Sequence, residues 1–144
     1  MLEKEITVEL LELDGTEKFT AMRDLYIKNG DGYILMYSVT SLNEFNELDN
    51  QKEQILRVND SDEVPMVLVG TYKKGEEELR EVTTEQGQEM AEKFGWCPFF
   101  EVDVDELGEH IETIVKPLLP KAIHRNEEKR RKQKKEKDHG CVVM

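Results

Sequence analysis

The sequence predicts an α/β domain, a doubly wound sheet with helices on both faces. Three observations predict it. Apolar runs suited to strands alternate along the chain with segments of helical period. Two of those runs, 33–39 (YILMYSV) and 64–70 (VPMVLVG), are nearly continuous, as parallel strands buried on both faces are. Finally, 144 residues with 38% apolar and 36% charged content suit one packed domain under a charged surface.

Each element has a local reason. Residues 6–13 (ITVELLEL) alternate in part and read as a strand, ended by the turn pair Asp14-Gly15. Thr16 can cap a helix that places Phe19, Met22 and Tyr26 along one side, with Leu25 beside them. Asn29-Gly30-Asp31-Gly32 then breaks the chain before the strand at 33–39. Ser41-x-x-Glu44 reads as a capping box opening a helix with Leu42, Phe45, Leu48, Ile55 and Leu56 toward a core, interrupted by Lys52. After the strand at 64–70, Thr83-x-x-Gln86 caps a further helix, which ends near Phe94-Gly95. A short strand at 98–104 and a final helix at 111–119 follow, the latter kinked or stopped by Pro117. Trp96 and Phe94 are expected to pack under that last helix. Ligands in such folds sit at the carboxyl ends of the strands, here 12–15, 38–41, 70–75 and 103–106.

Charge divides the chain in two. The formal net charge is −12, yet nine basic and four acidic residues give 121–138 a net +5 and leave −17 on the rest. The body is expected to avoid nucleic acid and anionic lipid, and the tail to seek an anionic surface. The domain boundary is placed at residue 120, with 1–120 folded and 121–144 a disordered polybasic tail. No apolar run approaches the roughly 18–20 residues of a membrane span. The first residues, MLEKEITVEL, lack the apolar core of a secretory signal. Cys97 and Cys141 are too few for a disulfide framework or a zinc site. Cytosolic synthesis is therefore expected. Cys97 reads as a small buried apolar residue, and Asp103, Asp105, Glu106 and Glu109 as a solvated acidic loop, so no metal site is assigned.

The last four residues, Cys141-Val142-Val143-Met144, form a C-a-a-X box of the farnesyl type. A prenyltransferase reads a thiol four residues from a free carboxyl terminus, so position and residue type both matter. One prenyl chain holds a membrane only marginally. Lys129, Arg130, Arg131, Lys132, Lys134, Lys135 and Lys137 supply a second, electrostatic signal for the anionic inner leaflet, at roughly 1 kcal/mol per cation near the surface. The expected location is the cytoplasmic face of the plasma membrane or endomembranes.

Two stretches, 15–40 (GTEKFTAMRDLYIKNGDGYILMYSVT) and 45–70 (FNELDNQKEQILRVNDSDEVPMVLVG), resemble Ras-type small GTPases, most closely the Rap branch. The resemblance covers about 7–120. It implies the small-GTPase, P-loop NTPase-like fold, a Mg-GTP switch, and regulation by exchange and activating factors. It also implies that Phe19, Met22 and Tyr26 lie where exchange factors dock. In the resembled fold, the strand leading into the P-loop is central, between the strands at 6–13 and 33–39. This sequence begins after it, so first strand, P-loop and first switch segment are missing. The flanking strands are expected either to pair directly or to present open edges.

The remaining nucleotide motifs are altered. No G-x-x-x-x-G-K-[S/T] occurs; 70–75 gives the glycine spacing, but Glu76 and Glu77 follow it. The D-x-x-G motif appears as Glu12-Leu13-Asp14-Gly15, which leaves Gly15 as a residual phosphate-side position and Glu12 as a residual metal-side one. The guanine motif N-K-x-D appears as Thr71-Tyr72-Lys73-Lys74. The motif's Asp accepts two hydrogen bonds from guanine, whereas Lys74 can only donate. The sequence thus points to a prenyl-anchored interaction module that binds no GTP, with prenyltransferase and Ras/Rap regulators as partners. The alternatives are a genuine GTP-hydrolysing switch, using GTP/GDP and Mg²⁺, whose N-terminal part is missing from this sequence, and a partial duplicate without selected function.

Overall fold

A computed structural model describes residues 8–12, 20–61, 63–133 and 139–143, with side-chain environments for 24–61 and 63–131. The elements in chain order are β1 (Val8–Glu12), α1 (Thr20–Asn29), β2 (Gly32–Ser38), α2 (Leu42–Asn59), β3 (Met66–Tyr72), α3 (Thr84–Lys93), β4 (Phe99–Asp103), α4 (Leu107–Val115), α5 (Leu119–Gln133) and β5 (His139–Val143). All strand pairs are parallel, in the order β1-β5-β2-β3-β4. The predicted α/β class and helices on both faces are therefore present.

The period of two along β2 divides the core. Tyr33, Leu35 and Tyr37 join Phe45, Leu48 and Ile55 of α2 and Ala91 of α3 in one buried cluster. Ile34, with Val67 and Val69 of β3, meets Ile114, Val115 and Leu118 on the other face. In β2 only Met36 and Ser38 are partly exposed, which explains the nearly continuous apolar run.

The caps divide. Thr83 and Gln86 form both halves of their capping box. Ser41 makes only one half: its Oγ accepts the Glu44 N–H at 3.2 Å, while its own N–H donates to the Ser38 carbonyl at 3.0 Å. Lys52, the break in the α2 stripe, lies with its ammonium 4.8 Å from the centroid of the Phe94 ring. Phe94 belongs to the α1–α3 face, not to the last helix. Trp96 is 75% exposed at a positive φ of 63°, so the expected packing under that helix does not occur.

The C-terminal third departs most from expectation. α4 stops at Val115, and Pro117 heads a 3-10 turn over Lys116–Leu118. Helix then continues as α5 to Gln133, through the stretch read as the start of a disordered tail. Asn126 Nδ2 donates to Asp31 Oδ2 at 3.1 Å, and Lys129 Nζ donates to the Gly30 carbonyl at 2.8 Å and lies 3.3 Å from Asp31 Oδ1. Arg125 donates to Asn59 Oδ1 at 2.8 Å. α5 is thereby fixed at the amino end of β2.

The chain then re-enters the sheet. β5 lies between β1 and β2, pairing Cys141 with Leu10 on one side and Gly32 on the other. Among the described residues the two neighbours do not pair with each other; a five-residue strand, HGCVV, lies between them, paired with five positions of β1 and with Gly32, Tyr33 and Ile34 of β2.

Candidate functional site

The carboxyl ends of the strands bring Ser38–Thr40, 71–77 and 103–106 to one edge. Tyr37–Ser38 and Gly70–Thr71 are in register, so the ends of β2 and β3 are level. β3 and β4 are likewise level at Tyr72 and Asp103. This register follows from the two buried apolar runs, because a one-residue slip would turn every core side chain to the wrong face.

At this edge the hydroxyls of Ser38 and Thr40 bond each other at 2.7 Å. Thr71 Oγ1 donates to the Tyr37 carbonyl at 3.3 Å. Tyr72, read as part of the guanine motif, is partly buried against the α1–α3 core. Lys74 Nζ lies 3.7 Å from Glu106 Oε1, across the corner between the β3 and β4 loops. Both groups are largely exposed, so this contact adds little stability. Its chemical meaning is clearer: the position carries a donor already facing a carboxylate. Asp103, buried, turns its Oδ1 onto the Asp105 N–H at 2.9 Å.

The 70–75 glycine spacing is not a phosphate loop. Gly70 lies inside β3, where a Cβ would stand 2.9 Å from the Tyr37 ring and hydroxyl. Gly75 turns the chain at φ 91°, and its N–H donates to Glu77 Oε1 at 3.2 Å. That bond and the one from Glu77's own N–H, the larger cause, hold the Glu77 carboxyl below its usual range. A carboxylate stays ionised on the amide that a phosphate oxygen would need.

The other predicted positions scatter. Glu12 ends β1, opposite Val143 of β5, and Gly15 and Phe19 lie outside the described residues. Met22 lies in α1, and Tyr26 is partly buried against the core rather than free for a partner. Among the described side chains of that helix, Leu25 is an exposed apolar one, at 56%. Among the tail cations, Lys129 is committed to Asp31 and Gly30, Arg130 is partly buried, and Arg131 is exposed. Lys132 belongs to α5, whereas Lys134, Lys135 and Lys137 lie outside the described residues. Cys141 is a mid-strand position of β5.

Sequence reasoning missed the Arg80–Glu101 pair near this edge. Arg80 meets Glu101 through two bonds of 3.2 and 3.0 Å, and Thr84 adds a third at 3.0 Å. The Glu101 hydrogen bonds are the main reason the guanidinium is held even more firmly charged than usual. Among the described residues no three His, Cys, Asp or Glu side chains converge as metal ligands, and no helix is long and apolar enough to cross a membrane. A cleft of about 840 Å³ among the described residues lies at the other end of the sheet, between Met66, Phe94 and Lys121.

A parallel sheet with helices on both faces and level strand ends is the P-loop NTPase-like architecture of a small GTPase, here without the P-loop motif. The sequence model of the Ras family matches residues 1–123, and the chain belongs to that family. At the edge formed by the strand ends, Lys74 faces Glu106, and Glu77 accepts the N–H of Gly75.

Proposed function

We propose that this Ras family protein is a nucleotide-independent interaction module of membrane-associated signalling, anchored by a prenyl group on Cys141. The observation that carries the loss of nucleotide binding is the guanine corner. A donor-only ammonium stands where two hydrogen bonds from the base need an acceptor, and Glu106 reinforces the exchange. Losing one charged partner costs roughly 1–3 kcal/mol.

The anchor reading rests on the terminal CVVM and the basic run before it. Lys129 is subtracted from that run, because its ammonium serves Asp31. The surface offered to Ras/Rap regulators is α1, and Leu25 is a better candidate contact than Tyr26. Equilibrium binding of fluorescent GDP and GTP to the full chain with Mg²⁺ tests the nucleotide claim. No saturable signal is expected at tens of micromolar. Guanine-specific saturation would restore the switch reading.

A further inference from the structure

We propose that the C-terminal strand is a built-in plug of the sheet, and that the plugged state and the prenylated state of Cys141 exclude one another. The second half rests on the C-a-a-X reading above; the first stands on the topology alone.

β5 pairs with β1 over five positions, from Val8 opposite His139 to Glu12 opposite Val143. On its other edge Cys141, Val142 and Val143 pair with Gly32, Tyr33 and Ile34. A strand with neighbours on both sides has its backbone donors and acceptors engaged in two ladders. Both neighbours require it. Among the described residues β5 is the strand paired with β1, and without it Gly32, Tyr33 and Ile34 of β2 would lose their partner. The segment suits the place, with β-branched Val142 and Val143 at its end. Its approach is prepared as well. Asn126 and Lys129 fix α5 at the amino end of β2, the end at which a strand parallel to β2 must start.

The same residues are the prenylation signal. In that reaction the Cys141 sulfur attacks C1 of a prenyl diphosphate. A C–S bond forms, the C–O bond to diphosphate breaks, the thiol proton is lost and inorganic diphosphate leaves. The transferase needs the last four residues extended and accessible, and the anchored product needs them to reach a bilayer. A strand held between β1 and β2 is extended but not accessible, and it cannot reach a bilayer. Prenylation therefore requires β5 to leave the sheet, which breaks its pairing with β1 and β2.

Two measurements on the full chain test this against a peptide of residues 134–144. Hydrogen exchange should show the amides of 141–143 protected at least about 100-fold relative to the peptide. Farnesyl transfer from farnesyl diphosphate should be at least about tenfold slower on the folded chain than on the peptide. A Leu10→Pro, Leu11→Pro double variant removes a ladder donor facing β5, since alternate residues face opposite edges, and leaves the signal untouched. It should bring both rates to those of the peptide while the amides of 66–72 stay protected, which shows that β3 remains folded. Peptide-like exchange in the unaltered chain would overturn the plug, and equal transfer rates would overturn the exclusion. A peptide that accepts no farnesyl group would instead sink the anchor reading and with it the exclusion, while the exchange arm would still decide the plug.

Discussion

Tyr37 concentrates the residue-scale physics of the core. Its ring meets Phe45 edge-on at 5.1 Å and 70°. α3 comes close to it because position 87 is glycine; a Cβ there would lie 2.4 Å from both the Tyr37 hydroxyl and the Phe99 ring. Among the described residues the hydroxyl is enclosed without a hydrogen-bond partner. Burial, and secondly the negative charge of Glu101, push its pKa from 10.0 to about 12, against a smaller pull from Arg80. Two outcomes are expected of Tyr37→Phe. The variant removes an unsatisfied buried group, so urea denaturation at neutral pH should show it about 1 kcal/mol more stable. The second outcome concerns pH. The unfolded chain releases the phenolic proton near pH 10 and the folded chain near 12, so above pH 10 the unfolded state binds fewer protons and stability falls until about pH 12. That component of the alkaline decline should be absent from Tyr37→Phe, as a comparison of urea midpoints between pH 9 and 12 will show.

Elements differ in how far their determinants lie from them, and this governs what could be read from the sequence. α3 was legible because Thr83 and Gln86 cap it from three residues apart. β2 and β3 were legible because burial on both faces leaves a continuous apolar run. Trp96 was misread because a left-handed φ points its side chain where no periodicity argument applies. α5 was misread because its docking is non-local: Lys129 and Asp31 are 98 residues apart, and in sequence the lysine is one cation of a basic run. Asp31 is only 1% exposed, so its partners matter. Replacing Lys129 by Met keeps the aliphatic stem and removes the charge facing a buried carboxylate. The expected cost is roughly 2–4 kcal/mol by urea denaturation, and Asp31→Asn in the same chain should recover part of it. A surface lysine serving only the membrane would change stability by less than about 0.5 kcal/mol.

At the scale of the whole molecule, the last described strand, β5, sits inside the sheet between β1 and β2. The vacancy between 6–13 and 33–39 was legible from the family resemblance, and its occupant was not. HGCVV is short, and its last residues already had a reading as a lipidation signal. The consequence is a long-range dependence of the first described strand on the end of the chain. Among the described residues β1 pairs with β5 only. Ending the chain at Gln133 should therefore remove two strands, not one. Amides of 8–12 should lose their exchange protection along with the ladder they shared with β5, while those of 66–72, held between β2 and β4, should keep theirs. The truncated chain should also unfold in urea with a smaller slope, because less surface remains to be exposed. It should self-associate as concentration rises, since Gly32, Tyr33 and Ile34 would lose their partner on an apolar, uncharged strand free of proline. Sedimentation over a concentration series measures that association. Unchanged protection at 8–12 with a monomeric truncated chain would mean that β1 is held by something other than β5, and the dependence between the two ends would be wrong.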